Sequence, residues 1–222
     1  MVDDARPPLF PIFLNLAGRR AVVIGGGEVA ERKVGALLEA GARVRVIAPE
    51  VSAGLEARQG HASLEVVRRD YRPGDLEGAA LAFAATGKAA VNAAVYEEAQ
   101  AAGVWVNVAD DPAHCTFHMP SQLARGPICV AVSTGGDSPA LARHLRERLE
   151  EVVTPAYGEL ARLLGRLRPE VMASYASSRE RGARWNAVVE DTGVLELLAQ
   201  GKAMEAEARA RHLLGIERKG RG

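Results

Sequence analysis

The run Gly25-Gly26-Gly27-Glu28-Val29-Ala30 restricts the fold of this chain more than any other stretch. A compact apolar segment, Arg20 to Ile24, precedes it and reads as a buried strand. From Glu28 to Ala40 the apolar residues Val29, Val34, Leu37 and Leu38 recur at helical spacing, and Gly41 stands where a helix stop is expected. In such a strand–turn–helix, Gly25 permits the tight turn and Gly27 lets the backbone approach a pyrophosphate. Ala30 allows the helix to pack closely on the sheet. The N–H groups and partial positive charge of the helix N-terminus favour an anion. The alternative, a glycine-rich turn that binds nothing, stays open on this run alone.

The rest of the first half repeats the alternation. Arg43 to Ile47 reads as a strand with one face exposed, and Leu64 to Val67, Leu81 to Ala85 and Val104 to Val108 as further strands. Ala89 to Ala102 has helical composition and is closed by Gly103. Pro11 to Leu16 is a short apolar run with strand character, after a loose tail over residues 1–8. Strands alternating with helices predict an α/β fold, a Rossmann-like doubly wound parallel sheet. After Asp110 the pattern changes. Cys115 to Pro127 reads as irregular, Ile128 to Val132 as one more strand, and Ser138 as the N-cap of a helix with Pro139 in its first turn. The remainder is helical, with breaks expected near Pro155, Pro169 and Gly193 and a frayed end over Glu217 to Gly222. The expected division is 1–113, a dinucleotide-binding domain; 114–150, an intervening segment of loop, strand and helix start; and 151–222, a helical C-terminal domain.

Composition excludes several classes. With 28 basic and 28 acidic side chains the formal net charge is zero, which argues against a nucleic-acid partner held through phosphates. The basic surplus falls in residues 138–222, the better region for contact with an anionic ligand. The N-terminus lacks a signal-peptide pattern, no apolar run reaches membrane-spanning length, and the two cysteines, Cys115 and Cys129, make no disulfide framework. The expected location is cytoplasmic, with no membrane partner.

Several side chains are candidates for chemistry. Pro49 and Glu50 follow the second strand and Thr86 follows the Leu81 to Ala85 strand, so with Gly25 to Ala30 they make up the candidate cofactor site. Glu50 reads equally as a ribose ligand or as a solvated loop glutamate. No Lys or Arg occurs from Ala48 to Ser52, where a 2′-phosphate would need one, so NAD is expected over NADP. Asp110 and Asp111 leave the strand ending at Val108, where open α/β sheets bind ligands; one carboxylate reads as functional and the other as a turn cap. His114, Cys115 and His118 are metal-ligand types at a spacing that matches no standard zinc site, and no metal is expected. Ser133, Thr134 and Gly135, ahead of a helix carrying Arg143, His144 and Arg146, read either as a carboxylate-holding turn or as a plain helix cap.

Four stretches together resemble the precorrin-2 dehydrogenase family, which includes the N-terminal half of siroheme synthases. They are Pro11 to Leu16, Val23 to Lys33, Asn107 to Asp110, and Phe117 to Pro120 continuing to Ala131 to Ala142. The resemblance covers roughly the first 150 residues, about one domain. It implies NAD-dependent oxidation of precorrin-2 to sirohydrochlorin, on the way to siroheme. It also implies a homodimer, with 114–150, the segment after the sheet, as a dimerisation and substrate segment, and a helical tail over the site. Some members insert ferrous iron into the product, which makes Fe²⁺ a candidate second substrate. The family's important aspartate falls on Asp110 and its substrate turn on Ser133 and Thr134, with Gly135, Arg143 and His118 as the other candidate substrate contacts. Some members carry Ser where this chain has Thr134.

Two rival functions come from other classes. A non-catalytic NAD-sensing module would need the glycine turn but neither Asp110 nor the Ser133–Thr134 turn. A dehydrogenase of a small molecule should show a Tyr or Lys placed for hydride chemistry, and no such signature is present.

Overall fold

The structure is a computed structural model that describes residues 9–216; the expectations for residues 1–8 and 217–222 lie outside the described residues. The chain forms two compact units, Met1–Met119 and Pro120–Gly222.

The first unit is a five-stranded parallel sheet with strand order β3-β2-β1-β4-β5. Its strands are β1 (Arg20–Ile24), β2 (Arg43–Ile47), β3 (Leu64–Val67), β4 (Leu81–Ala84) and β5 (Trp105–Val108). Helix α1 (Glu28–Glu39) crosses from β1 to β2, α2 (Ala53–Glu56) lies between β2 and β3, and α3 (Ala89–Ala102) joins β4 to β5. Side chains alternate across the pleat. Ala21, Val23, Val44, Val46 and Phe83 therefore pack with Ala30, Val34 and Leu37 of α1 on one face. Val22, Ile24, Ala82, Ala84 and Val106 pack with Val95 and Ala99 of α3 on the other. Burial on both faces explains why β1 is apolar from Ala21 to Ile24 without a break.

Pro11 to Leu16 is not a strand. Strand residues need a partner edge, and this run pairs with neither β3 nor β5, the two edge strands. Leu16 packs on the core, while Phe10 and Phe13 stand 87% and 73% exposed.

In the second unit, β6 (Ser121–Arg125) and β7 (Ile128–Val132) form an antiparallel hairpin around Gly126 and Pro127. The expected irregular segment thus contains a strand. Ser121-Gln122-Leu123-Ala124-Arg125 buries only Leu123, so its period is too weak to register in the sequence. Helices α4 (Pro139–Val152) and α5 (Pro155–Ser174) pack on the hairpin. The helices α6 (Ser178–Val189), α7 (Thr192–Ala199) and α8 (Ala203–Leu214) complete a core around Leu163, Leu167, Val171, Val194 and Leu214. The chain breaks at Pro155 as expected, but Pro169 lies inside α5. Leu167 and Val171 are buried on either side of it, and Pro169 and Gly165 face solvent, so the carbonyl that loses its partner can bond water. A break also falls near Gly193, as expected: α6 ends at Val189, Asp191 caps α7, and Gly193 lies in the first turn of α7. A Cβ there would meet the Arg209 guanidinium at 2.8 Å, and that guanidinium bonds both Asp191 oxygens at 2.7 and 2.8 Å.

Candidate functional site

In the first unit, a cavity of about 260 Å³ opens at the carboxyl ends of β1, β2, β3 and β4. Gly25 to Gly27 line it after β1, Ala48 to Glu50 after β2, Asp70 and Tyr71 after β3, and Thr86 to Lys88 after β4. A wider depression of about 490 Å³ lies beside the C-terminal half of α1. It has no helix N-terminus or glycine turn, so the smaller cavity is the better ligand site.

The glycine turn is shaped by close approaches. Gly25 has φ +122°, and a Cβ on it would lie 2.2 Å from the Ala85 carbonyl oxygen. A Cβ on Gly26 would lie 2.0 Å from the Glu50 carbonyl oxygen. Gly27 differs: a Cβ there would meet nothing within 4 Å. It is the N-cap of α1 with no side chain to bond the first-turn N–H groups of Glu28, Val29 and Ala30. An uncapped helix start beside a glycine-lined cavity matches the donor set a pyrophosphate requires. Ala30 is fully buried against the sheet, while Glu28 is exposed and Val29 half-buried.

The loop after β2 is held to this turn. Ser52 N–H donates to the Gly26 carbonyl at 2.7 Å, and the Ser52 hydroxyl donates to Glu31 of α1 at 2.6 Å. Pro49 and Glu50, both exposed, are thereby fixed at the cavity rim. On the far side, Thr86 bonds Asn92 through its hydroxyl at 2.6 Å, and Asn92 Nδ2 donates back to the Thr86 carbonyl at 3.1 Å.

Asp110 follows β5 in the left-handed region, with φ 58°, and is the one non-glycine residue with positive φ among the described residues. It is exposed, and its carboxylate has no hydrogen-bond partner among the described residues. A carboxylate held in a sparsely populated backbone conformation and left unpaired is a functional candidate. Asp111 is placed differently: its carboxylate meets His114 Nδ1 at 2.7 Å and it precedes the 3-10 turn Pro112–His114. Cys115 is half-buried, and its thiol bonds the Val108 and Asp111 carbonyls at 3.3 and 3.2 Å. Burial pushes that thiol above its ordinary pKa, so it serves the turn as a neutral bridge. His118 is half-buried next to Phe117, which packs edge-on against Phe83 at 5.4 Å. Lys33 reaches over the Phe83 ring at 5.2 Å, and burial lowers its pKa. Among the described residues no cluster of three or more His, Cys, Asp or Glu side chains is placed to hold a metal ion.

Ser133, Thr134, Gly135 and Arg143 belong to the second unit. The Thr134 hydroxyl accepts from Ser138 N–H at 3.0 Å, the Ser133 hydroxyl from Gly135 N–H at 3.2 Å, and Gly135 and Gly136 have φ +68° and +98°. Ser138 caps α4 by accepting from Leu141 N–H at 3.2 Å. Ser133 and Arg143 are exposed, and Arg143 lies 3.9 Å from Glu147.

Three family models match in succession: a putative NAD(P)-binding family over residues 12–121, the sirohaem biosynthesis protein central region over 125–151, and the sirohaem synthase dimerisation region over 156–214. The chain belongs to the siroheme synthase N-terminal family. Siroheme synthase of Pseudomonas entomophila (strain L48) is 45% identical over 89% of this chain and 42% of its own length. That of Stutzerimonas stutzeri (strain A1501) is 42% identical over 96% of this chain and 46% of its own. The chain thus spans less than half the length of these relatives. A solved structure described as SirC, a precorrin-2 dehydrogenase, superposes with TM-score 0.72 at 26% identity, covering 90% of this chain and all of that one.

Within this family frame, sequence reasoning missed several groups at the cavity: Asp70, Tyr71 and Lys88 in its lining, and Glu31 and Ser52 behind it. The available signal was position. Asp70 and Lys88 lie just past β3 and β4, at the same sheet edge as the glycine turn. Ser52 carries an N-cap signature, borne by its hydroxyl accepting from Leu55 N–H at 3.3 Å.

Proposed function

We propose that this chain binds NAD and oxidises precorrin-2 to sirohydrochlorin. The observation that carries the reading is the uncapped α1 N-terminus in a glycine-lined cavity, in a member of this family. Bound NAD supplies the hydride acceptor. First-turn N–H groups of α1 hold the pyrophosphate, and Glu50 accepts from ribose hydroxyls. Asp110 takes the proton released as hydride leaves, or orients the macrocycle by accepting from its pyrrole N–H groups. Ser133, Thr134, Gly135, Arg143 and His118 hold the substrate's carboxylates. The net change is precorrin-2 and NAD⁺ to sirohydrochlorin, NADH and a proton. The proposed division of labour is cofactor binding by residues 1–113, dimer contact and substrate groups in 114–150, and a helical C-terminal domain over 151–222. Among the described residues no helix is long and apolar enough to cross a membrane. We place the reaction in the cytoplasm. Anaerobic incubation with precorrin-2 and NAD should give NADH and the sirohydrochlorin spectrum together; NAD binding without turnover would favour a sensing module instead.

NAD should bind at least about tenfold tighter than NADP, because Glu50 on the cavity rim would repel a 2′-phosphate and no cation follows β2. Titration of both dinucleotides checks this; tighter NADP binding refutes it.

The protein should be a homodimer at micromolar concentration. Leu141, Leu145 and Val152 form an exposed stripe on α4, 48%, 42% and 64% exposed, and the adjoining hairpin exposes Cys129 and Ala131. A symmetric copy would cover such a surface. Light scattering reads the mass, and a monomer would contradict the expectation.

We propose also that Fe²⁺ insertion into sirohydrochlorin is slow and depends on Asp110, since no clustered ligand set marks a resident ion site among the described residues. Chelation without NAD, compared with a protein-free control, tests this. Fast insertion that survives Asp110→Asn would place the chemistry elsewhere.

A further inference from the structure

Two charged groups line the cofactor cavity outside both the glycine turn and the loop after β2. Asp70 follows β3, Lys88 is the N-cap of α3 after β4, and Lys88 Nζ lies 3.4 Å from Asp70 Oδ1. Their backbones are anchored on both sides. Arg69 forms a two-pronged pair with Asp75 at 2.7 and 2.6 Å, and Arg72 N–H donates to the same carboxylate at 2.8 Å. Tyr71 donates its hydroxyl to Glu98, which also accepts from Leu76 N–H at 2.8 Å. Lys88 N–H donates to the Thr86 hydroxyl at 3.2 Å, and the Lys88 carbonyl accepts from Val91 N–H at 3.0 Å. The two side chains themselves are exposed, 67% for Lys88 and 73% for Asp70. A fixed backbone thus presents an acceptor-only carboxylate beside a donor-only ammonium. The walls behind them, Ile24, Ile47, Ala48 and Val91, are apolar and suit a flat ring.

We propose that Asp70 and Lys88 read the adenine base of the dinucleotide, an inference that rests on the cofactor reading above. Adenine presents its exocyclic amine, a donor, next to ring nitrogen N1, an acceptor. The carboxylate accepts from the amine and the ammonium donates to N1. An exposed ion pair in water is weak, so the two groups lose little in turning to a ligand. Hypoxanthine reverses the edge: a carbonyl oxygen replaces the amine, and N1 carries a hydrogen. The carboxylate then faces an oxygen and the ammonium faces an N–H, and a site built around one pattern rejects the other.

The test is calorimetric binding of NAD and of nicotinamide hypoxanthine dinucleotide to the full chain, as wild type, Asp70→Asn and Lys88→Met, with thermal melting as a check on folding. Wild type should bind NAD about tenfold tighter than the hypoxanthine analogue. Asp70→Asn, whose amide can donate or accept, should bring the two near parity. Lys88→Met should weaken NAD several-fold and the analogue much less. Equal binding of both dinucleotides by wild type overturns the inference without any variant, as does a preference unchanged in both variants. NAD binding with no base preference leaves the cofactor reading standing and removes this one; no NAD binding removes both.

Discussion

Asp110→Asn should lower precorrin-2 oxidation by about 100-fold or more, the range in which a positioned proton acceptor operates, with NAD affinity and melting temperature unchanged. The side chain is exposed and bonds nothing among the described residues, so its loss removes no structural contact. Asparagine tolerates the left-handed backbone about as well as aspartate, so φ 58° adds no penalty. Asp111→Asn should behave in the opposite way. It weakens the contact with His114 and alters the start of a 3-10 turn, a change of about 0–1 kcal/mol at an exposed pair, with activity largely retained. Steady-state rates and melting curves for the two variants separate these outcomes. A damaging Asp111→Asn beside a mild Asp110→Asn would move the functional carboxylate by one position.

Gly25→Ala should disrupt the first unit itself. At φ +122° an L side chain is strained, and its Cβ would stand 2.2 Å from a backbone oxygen of β4's continuation, which has no rotamer to escape into. Together these are expected to cost about 2–4 kcal/mol, enough to lower the melting temperature by about 10 °C or more and to abolish NAD binding. Gly27→Ala is the informative contrast. Its φ of −81° is ordinary and a Cβ there meets nothing within 4 Å, so the variant should melt like wild type. Gly27 lines the cavity, and the added methyl takes space a pyrophosphate needs, so NAD affinity should fall alone. Retained NAD binding in Gly25→Ala, or unfolding of Gly27→Ala, would reverse the roles assigned to the two glycines.

The parallel sheet was legible because its signals are local. β2 and β3 have the bounds that the alternation of Arg43 to Ile47 and the run Leu64 to Val67 predict, and α3 stops at Gly103, whose φ is +65°. Pro11 to Leu16 misleads because apolar composition reports strand propensity, whereas a strand exists only with a pairing edge. β6 escapes notice for the converse reason: hairpin pairing with β7 makes a strand of a segment with one buried residue. Pro169 shows tertiary packing overriding a local breaker, whereas the break near Gly193 is where the sequence puts it, with the glycine in the first turn of α7 leaving room for the Arg209 guanidinium. At the site, the glycine turn is readable since no other residue satisfies Gly25's backbone. Asp70 and Lys88 are 18 residues apart and gain meaning only when parallel strands bring their ends to one edge.

The backbone of Asp110 has a consequence for how this protein can fail. Nothing in the folding of the β5 turn asks for a carboxylate there: glycine or asparagine would sit at the same φ at no greater cost. Selection for a stable, abundant chain is therefore blind to this position. If Asp110 is the proton acceptor proposed above, a lineage that lost the acid would keep a protein that accumulates and melts normally, and the defect would surface only as a missing product. Screens that rank variants by yield or heat resistance would pass such a change, and only a selection on turnover would register it.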